Sequence, residues 1–390
     1  VKTKALVEPR ILLRNAERPP LPRPLRYPPS RKRKNEGAFM RKFALVIALF
    51  AAVAVHAEQK NVQLLTNLSD WQLGAVMDNF TASLGVHCDT CHVRNEATKQ
   101  WDFPSDAKGE KKTAREMIKM VIDLNEKSFH GHTVIGCYTC HLGKEHPSLM
   151  ATLPVPPIAP SKSEADETAE RKAYPAAKDL AAKYVTAIGG EGAAKKLSTA
   201  TMTAKASRVG GNGQTMPIEV YRSGGKFLQR GTPAEGPAMV QMYGPEGGWM
   251  TGRQGAHTIT GGDAATAVAS ARAYEPFSGT LPENARVQGK ETIDGHETWI
   301  VGAPIDEHTR QRLYFDATTG LVVRRVVSMD SPVGRLPTQT DFDDYRDASG
   351  VKVPFTVKVA SINGGQSATR KYTSIDFGAA VDEKLFEAPK

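Results

Sequence analysis

Two five-residue runs concentrate the chemistry of this chain: Cys88-Asp89-Thr90-Cys91-His92 and Cys137-Tyr138-Thr139-Cys140-His141. Two Cys three positions apart can add to the two vinyl groups of one porphyrin, and the imidazole of the next residue then lies beneath the iron as its proximal ligand. The pattern predicts two covalently bound c-type haems, one on Cys88 and Cys91 and one on Cys137 and Cys140, with His92 and His141 on the two irons. Disulfides or zinc are the competing uses of four Cys. With ten His among 390 residues, one directly after each second Cys arises by accident with a probability of about 0.0007. A zinc ribbon wants about 15 to 20 residues between its pairs, and 45 separate Cys91 from Cys137.

The sixth ligands are open from the residues alone. Met77 and Met117 each lie on the apolar face of a helical segment upstream of a motif, where a thioether could reach iron, although Met at that spacing is as readily core filling. Met120, one turn from Met117, is a direct rival, and His130 and His132 sit in the loop before the second motif.

The elements that must position these groups follow from periodicity. Ser69 or Asp70 can cap a helix whose apolar residues Leu73, Val76, Met77, Phe80 and Leu84 recur every three or four positions, ending at Gly85. A second helix is expected from Thr113 to Lys127, with Ala114, Met117, Met120, Val121 and Leu124 on one face. The order helix, motif, helix, motif reads as one unit used twice.

Three runs resemble the cytochrome c subunit of photosynthetic reaction centres: MDNFTASLGVHCDTCH at Met77 to His92, AREMIKMVIDLN at Ala114 to Asn125, and CYTCHLG at Cys137 to Gly143. The stretch is under a quarter of the chain. In that family the helix before each haem donates an axial Met, so the resemblance implies Met77 and Met117 as sixth ligands. Members that serve reaction centres typically carry four haem motifs, and in some a histidine of one half ligates a haem of the other. This chain has two motifs, and neither photosynthesis nor service to a chlorophyll pair follows.

Composition divides the rest. Residues 1–39 are rich in Pro and Arg and are expected to be disordered or an over-extended translation start. Residues 40–57 have the form of a cleaved signal peptide: Arg41-Lys42, the apolar run Phe43 to Val55, and Val55-His56-Ala57 as a small-x-small site. Periplasmic location is the expectation, peripheral to the membrane at most. The net charge of +9 is deceptive, because the first 57 residues carry 13 Lys and Arg against three acids. The remainder holds 38 basic and 39 acidic residues, which removes the electrostatic case for a nucleic-acid partner.

Residues 58–146 are expected to form the dihaem domain and residues 147–175, with six Pro, an extended and mobile linker. From 176 to 390 a helix at Ala177 to Gly189 precedes short alternating strands. Hairpins are expected across Asp294-Gly295-His296, Asp316 to Gly320 and Asp347 to Gly350. The fold class is therefore α+β, a small helical dihaem domain followed by a curved antiparallel half-barrel packed on a helix. The runs Tyr314-Phe315-Asp316, Asp344-Tyr345, Gly350 to Pro354 and Val381-Asp382 more weakly resemble the half-barrels of periplasmic lipoprotein-sorting proteins. That resemblance implies a lipid as a candidate partner, beside the simpler use as a docking or spacer module. The leading functional expectation is a one-electron carrier between redox proteins or a membrane complex, and not an enzyme; a dihaem peroxidase with one open iron position is the alternative.

Overall fold

The computed structural model describes residues 61–389 apart from 151–152, 155–162, 211–212, 246, 253–254, 260–270 and 363–366. The two segments expected at 1–39 and 40–57 lie outside the described residues. Helix α1 (Asp70–Leu84) starts at the expected cap: Ser69 Oγ accepts from the Gln72 N–H at 3.3 Å while Gln72 Oε1 accepts from the Ser69 N–H at 3.0 Å. It ends on Gly85, whose φ of 67° is left-handed. A side chain there would collide with the Gly143 carbonyl, because the end of α1 lies against the turn after the second motif. The motifs themselves are single turns, α2 (Cys88–Cys91) and α4 (Cys137–His141). Between them lie a small hairpin of β1 (Val93–Arg94) and β2 (Trp101–Asp102), then helix α3 (Gly109–Ser128), which begins about one turn before the expected Thr113.

The segment expected to be an extended linker contains a helix, α5 (Glu164–Lys172). Its sequence EADETAERK is made of good helix formers, with Ser163 capping the Asp166 N–H, acids in the first turn, bases in the last, and an Arg171–Glu167 pair at 3.1 Å. None of its residues is buried, so local propensity and charge placement outweigh the neighbouring prolines. Two more helices follow, α6 (Ala177–Ala187) and α7 (Glu191–Thr199). The Gly189-Gly190 pair joins them, both residues at positive φ.

Thirteen strands then form one antiparallel, curved sheet: β3 (Met202–Gly210), β4 (Thr215–Ser223), β5 (Lys226–Gly231), β6 (Met239–Gly244), β7 (Gly247–Gly252), β8 (Gly255–Ile259), β9 (Arg286–Ile293), β10 (His296–Pro304), β11 (Thr309–Asp316), β12 (Val322–Ser331), β13 (Gly334–Ala348), β14 (Val351–Ser361) and β15 (Ala368–Phe377). Each strand pairs with its sequence neighbours except at two places: β8 and β9 are the edges, and β3 pairs with β15 in the middle. Bulges at Ile300/Val301, Tyr314/Phe315 and Tyr372/Ser374 bend the strands. The turns at Asp294-Gly295 and Ser349-Gly350 are two-residue hairpins with both φ values positive, the conformation that matches strand twist. Helices α6 and α7 bury Leu180, Tyr184, Ile188 and Leu197 against Val301, Leu313, Phe315, Val322, Val351 and Val353 of the sheet.

The turn between β12 and β13 decides how the motifs are placed. Ser331 pairs with Gly334, leaving Pro332-Val333 at the tip, and Val333 there is fully buried. It packs with Leu336 of β13 and with Leu65, Val76 and Ile118 of the helical segment. Burial of such a side chain contributes about 1.5–3 kcal/mol. The Val333 carbonyl accepts from the Cys137 N–H at 3.1 Å, and Ser331 O accepts from Thr133 Oγ1 at 3.4 Å. Two glycines permit this approach: a Cβ on Gly136 would stand 2.7 Å from the Gly334 Cα and 2.9 Å from the Val333 carbonyl oxygen, both backbone atoms. Gly136→Ala is accordingly expected to destabilise the chain by about 1–3 kcal/mol through displacement of the hairpin, measured by denaturant unfolding; a loss below about 0.5 kcal/mol would mean the contact is not made in solution.

Candidate functional site

In the first motif the α2 turn closes with the His92 N–H on the Cys88 carbonyl at 2.9 Å, and His92 leaves it in extended conformation. In the second, Gly136 precedes the turn, with its N–H on Thr139 Oγ1 at 3.1 Å, and Leu142 ends it in the left-handed region. All four Cys are free thiols; Cys88 and Cys140 are exposed, Cys91 and Cys137 half-buried. Burial pushes the Cys137 thiol up to about 11 and raises that of Cys91 as well, in the latter case with help from Glu110. Zinc would require converging thiolates. Among the described residues, no group of three or more His, Cys, Asp or Glu is arranged to hold a metal ion.

Both motif histidines make the same hydrogen bond. His92 Nδ1 lies 3.2 Å from the Phe103 carbonyl oxygen, and His141 Nδ1 lies 3.0 Å from that of Lys144. A carbonyl only accepts, so in each ring the proton sits on Nδ1 and Nε2 is left with a lone pair, the arrangement of a metal-ligating imidazole. Burial, followed by the charge of Lys111, holds His92 below the usual imidazole range and so keeps it neutral.

Each carbonyl or loop is fixed by a residue that motif reading passes over. Lys111, near the start of α3, donates through Nζ to the carbonyls of Phe103, Pro104 and Ser105 at 2.8, 3.0 and 2.8 Å, and pairs with Asp106 at 3.2 Å. It thereby holds the carbonyl that orients His92. The small hairpin adds an aromatic shelf: Phe103 meets the His92 ring edge-on at 5.1 Å and stacks on Trp101 at 5.8 Å. Before the second motif, buried Asn125 pins the loop. Its Oδ1 accepts from the N–H groups of Val134 and Ile135 at 3.0 and 2.9 Å, and its Nδ2 donates to the Ile135 carbonyl at 2.8 Å. The sequence signal for Asn125 is faint: a polar residue on the inward stripe Ile118, Val121, Asn125, where an apolar one is expected.

The expected sixth ligands are placed differently from one another. Met77 is half-buried and joins the same apolar cluster as Cys137. Met117 is 39% exposed and Met120 50%, on a stripe of α3 beside the buried one. His130 and His132 are exposed in the loop held by Asn125. Helix α1 packs against α4, and α3 against α2, so the helix preceding each motif touches the other motif.

The residues around the motifs fit a porphyrin. Each thiol pair spans one turn, each following imidazole has its tautomer set, and Phe103, Met117, Met120, Leu124, Val134, Tyr138 and Leu142 expose apolar surface that a flat apolar ring would cover.

Residues 49–210, under half of the chain and including both motifs, match the family model of the photosynthetic reaction centre cytochrome C subunit. The match points to a cytochrome c electron-transfer role and to covalently bound haem. A comparison with curated proteins finds no match. The C-terminal region has structural neighbours in the lipoprotein-sorting superfamily. A LolA superfamily protein from Nitrosomonas europaea is 12% identical over 55% of this chain and 98% of its own, with a TM-score of 0.38. An outer membrane lipoprotein-sorting protein domain from Vibrio parahaemolyticus is 13% identical over 54% and 95%, with a TM-score of 0.33. A DUF1329 family protein from Desulfovibrio piger is 14% identical over 54% and 95%, at 0.30. Likeness at that level says nothing of ligand or activity.

Removing the Asn125 amide leaves the Val134 and Ile135 N–H groups without their acceptor. Asn125→Ala is expected to cost about 2 kcal/mol, read by thermal unfolding, and to loosen the loop, read as faster amide exchange at Val134 and Ile135; unchanged exchange at both would show that Asn125 does not hold it.

Proposed function

We propose that the chain is an exported dihaem c-type cytochrome that passes electrons between periplasmic or membrane-bound redox partners. The observation that carries this reading is the repeated unit of two thiols on one turn and an imidazole whose Nδ1 proton is held by a backbone carbonyl. In this reading Cys88 and Cys91 anchor one haem and Cys137 and Cys140 the other, with His92 and His141 as proximal ligands through Nε2. Met77 and Met117 are the sixth ligands by analogy with the matched family. Residues 58–146 act as the haem-carrying part, 147–175 join it to the C-terminal part, and 176–390 form the half-barrel. The chain is exported by a signal at 40–57, cleaved after Ala57.

Haem supplies a one-electron iron couple, and the protein residues tune it. Lys111 and Asn125 hold the polypeptide around the motifs still, which keeps the imidazoles in one orientation and reduces rearrangement on electron gain or loss. Thioether ligation raises the reduction potential relative to paired imidazoles. A carrier needs no substrate pocket at the metal, and in this reading Met77 and Met117 would occupy the sixth positions.

Protein made in a host with cytochrome c maturation machinery is expected to carry two haem masses on a chain that begins at Glu58, with a pyridine haemochrome of c type at two per polypeptide. Cys140→Ser with His141→Ala should leave one. A full-length product of bare polypeptide mass would sink the proposal. Met77→Ala and Met117→Ala are each expected to weaken the sulfur-to-iron charge-transfer band of the oxidised protein and lower one potential, with Met120→Ala leaving both unchanged; spectroelectrochemistry distinguishes the three.

A further inference from the structure

The half-barrel reaches the second motif through one short piece of chain. At the tip of the hairpin between β12 and β13 the Val333 carbonyl accepts from the Cys137 N–H at 3.1 Å, and Gly334 lies so close to Gly136 that a Cβ on the latter would strike its Cα. The next residue, Arg335, lines a cleft of about 350 Å³ together with Cys137, Tyr138 and Thr139 of the motif. Among the described residues of the cleft wall, Arg335 alone is charged.

That charge has only half a partner. Arg335 Nε donates to Asp330 Oδ1 at 3.0 Å, and the same carboxylate pairs through Oδ2 with Arg310 Nη1, also at 3.0 Å. Two guanidinium groups share one carboxylate, so the cluster formed by β11, β12 and β13 holds one positive charge in excess. The Arg335 side chain is 49% exposed, so solvent screens this charge without abolishing it. The first motif has a different surrounding. The charges acting on Cys91 and His92 are Lys108, Lys111, Glu110 and Glu145, two of each sign and all from the helical segment.

Reduction places one more electron on an iron, so a fixed positive charge nearby stabilises the ferrous state and raises the potential. Excess positive charge beside the second motif and balanced charge beside the first therefore act to separate the two potentials. Resting on the dihaem reading, we propose that the half-barrel tunes one haem of the two: its β12–β13 hairpin positions the second motif through Val333 and, through Arg335, raises the potential of the haem that motif carries.

The test is spectroelectrochemical titration of the intact dihaem protein at low and high salt. Arg335→Gln is expected to lower one of the two potentials and leave the other in place, Arg335→Glu to lower the same one further, and Arg335→Lys to hold it at the parent value. Asp330→Asn removes the shared carboxylate and is expected to shift that potential the opposite way. Each shift shrinks in about 1 M salt, where the screening length falls to about 3 Å. In protein stripped of the second haem by Cys140→Ser with His141→Ala, the remaining potential is expected to ignore Arg335→Gln. Amide exchange at Cys137 reads the hairpin contact and is expected to match the parent in the charge variants, which separates loss of charge from loss of structure. The proposal is overturned if two haems are bound and neither potential responds to Arg335→Gln, if both move together, if Arg335→Gln and Asp330→Asn shift the potential in the same direction, or if the shift comes only with faster exchange at Cys137. A chain that binds no haem overturns the dihaem reading itself.

Discussion

A valine at the tip of a hairpin is fully buried, and the placement of the second motif depends on it. Hairpin tips ordinarily face water, and an apolar residue there gains nothing unless another element closes over it. Val333 is closed over by α1, α3 and the base of α4. The helical segment contributes Leu65, Val76 and Ile118 to this cluster, and the sheet contributes Val333 and Leu336, so neither side completes it alone. The backbone contact between Gly136 and Gly334 lets the two come close enough for the Cys137 N–H to bond the Val333 carbonyl. The turn that presents Cys137 and Cys140 is thereby referenced to the long strands β12 and β13 as well as to α1.

The two motifs reach the same local result by different means. At His92 an ammonium group gathers three carbonyls into a loop whose first carbonyl orients the ring. At His141 the receiving carbonyl belongs to Lys144, in the turn that α1 covers, with the Gly143 N–H bonded to Ser83 O at 2.9 Å. Both solutions place a ring nitrogen's proton against an acceptor that cannot donate, which leaves the other nitrogen free to bind a metal. Neither depends on a carboxylate.

Most buried polar groups of the sheet follow the usual rule that burial demands a partner. Arg324 has Asp341, Asp316 collects two backbone N–H groups and the Thr319 hydroxyl, and Tyr345 donates to the Val322 carbonyl. Arg370, through Nε and Nη1, and Arg325, through Nε, depart from that rule.

Much was legible from the residues alone. The Cys and His spacing is local, and so are the caps and glycines that start and stop α1 and the paired positive-φ turns at Asp294-Gly295 and Ser349-Gly350; each is specified within a few residues of chain. The helix in the expected linker was legible too, in Ser163 and the charge order of EADETAERK, but prolines on either side masked it. What the tertiary structure alone decided are relations between residues far apart in sequence. That Val333 seats under Cys137, that β3 pairs with β15, that Asn125 and Lys111 hold the motif loops, and that Arg370 meets Tyr274 without a counter-charge depend on how curved strands bring distant side chains together. Periodicity reports which face of an element is apolar, and it carries no information on which other face will cover it.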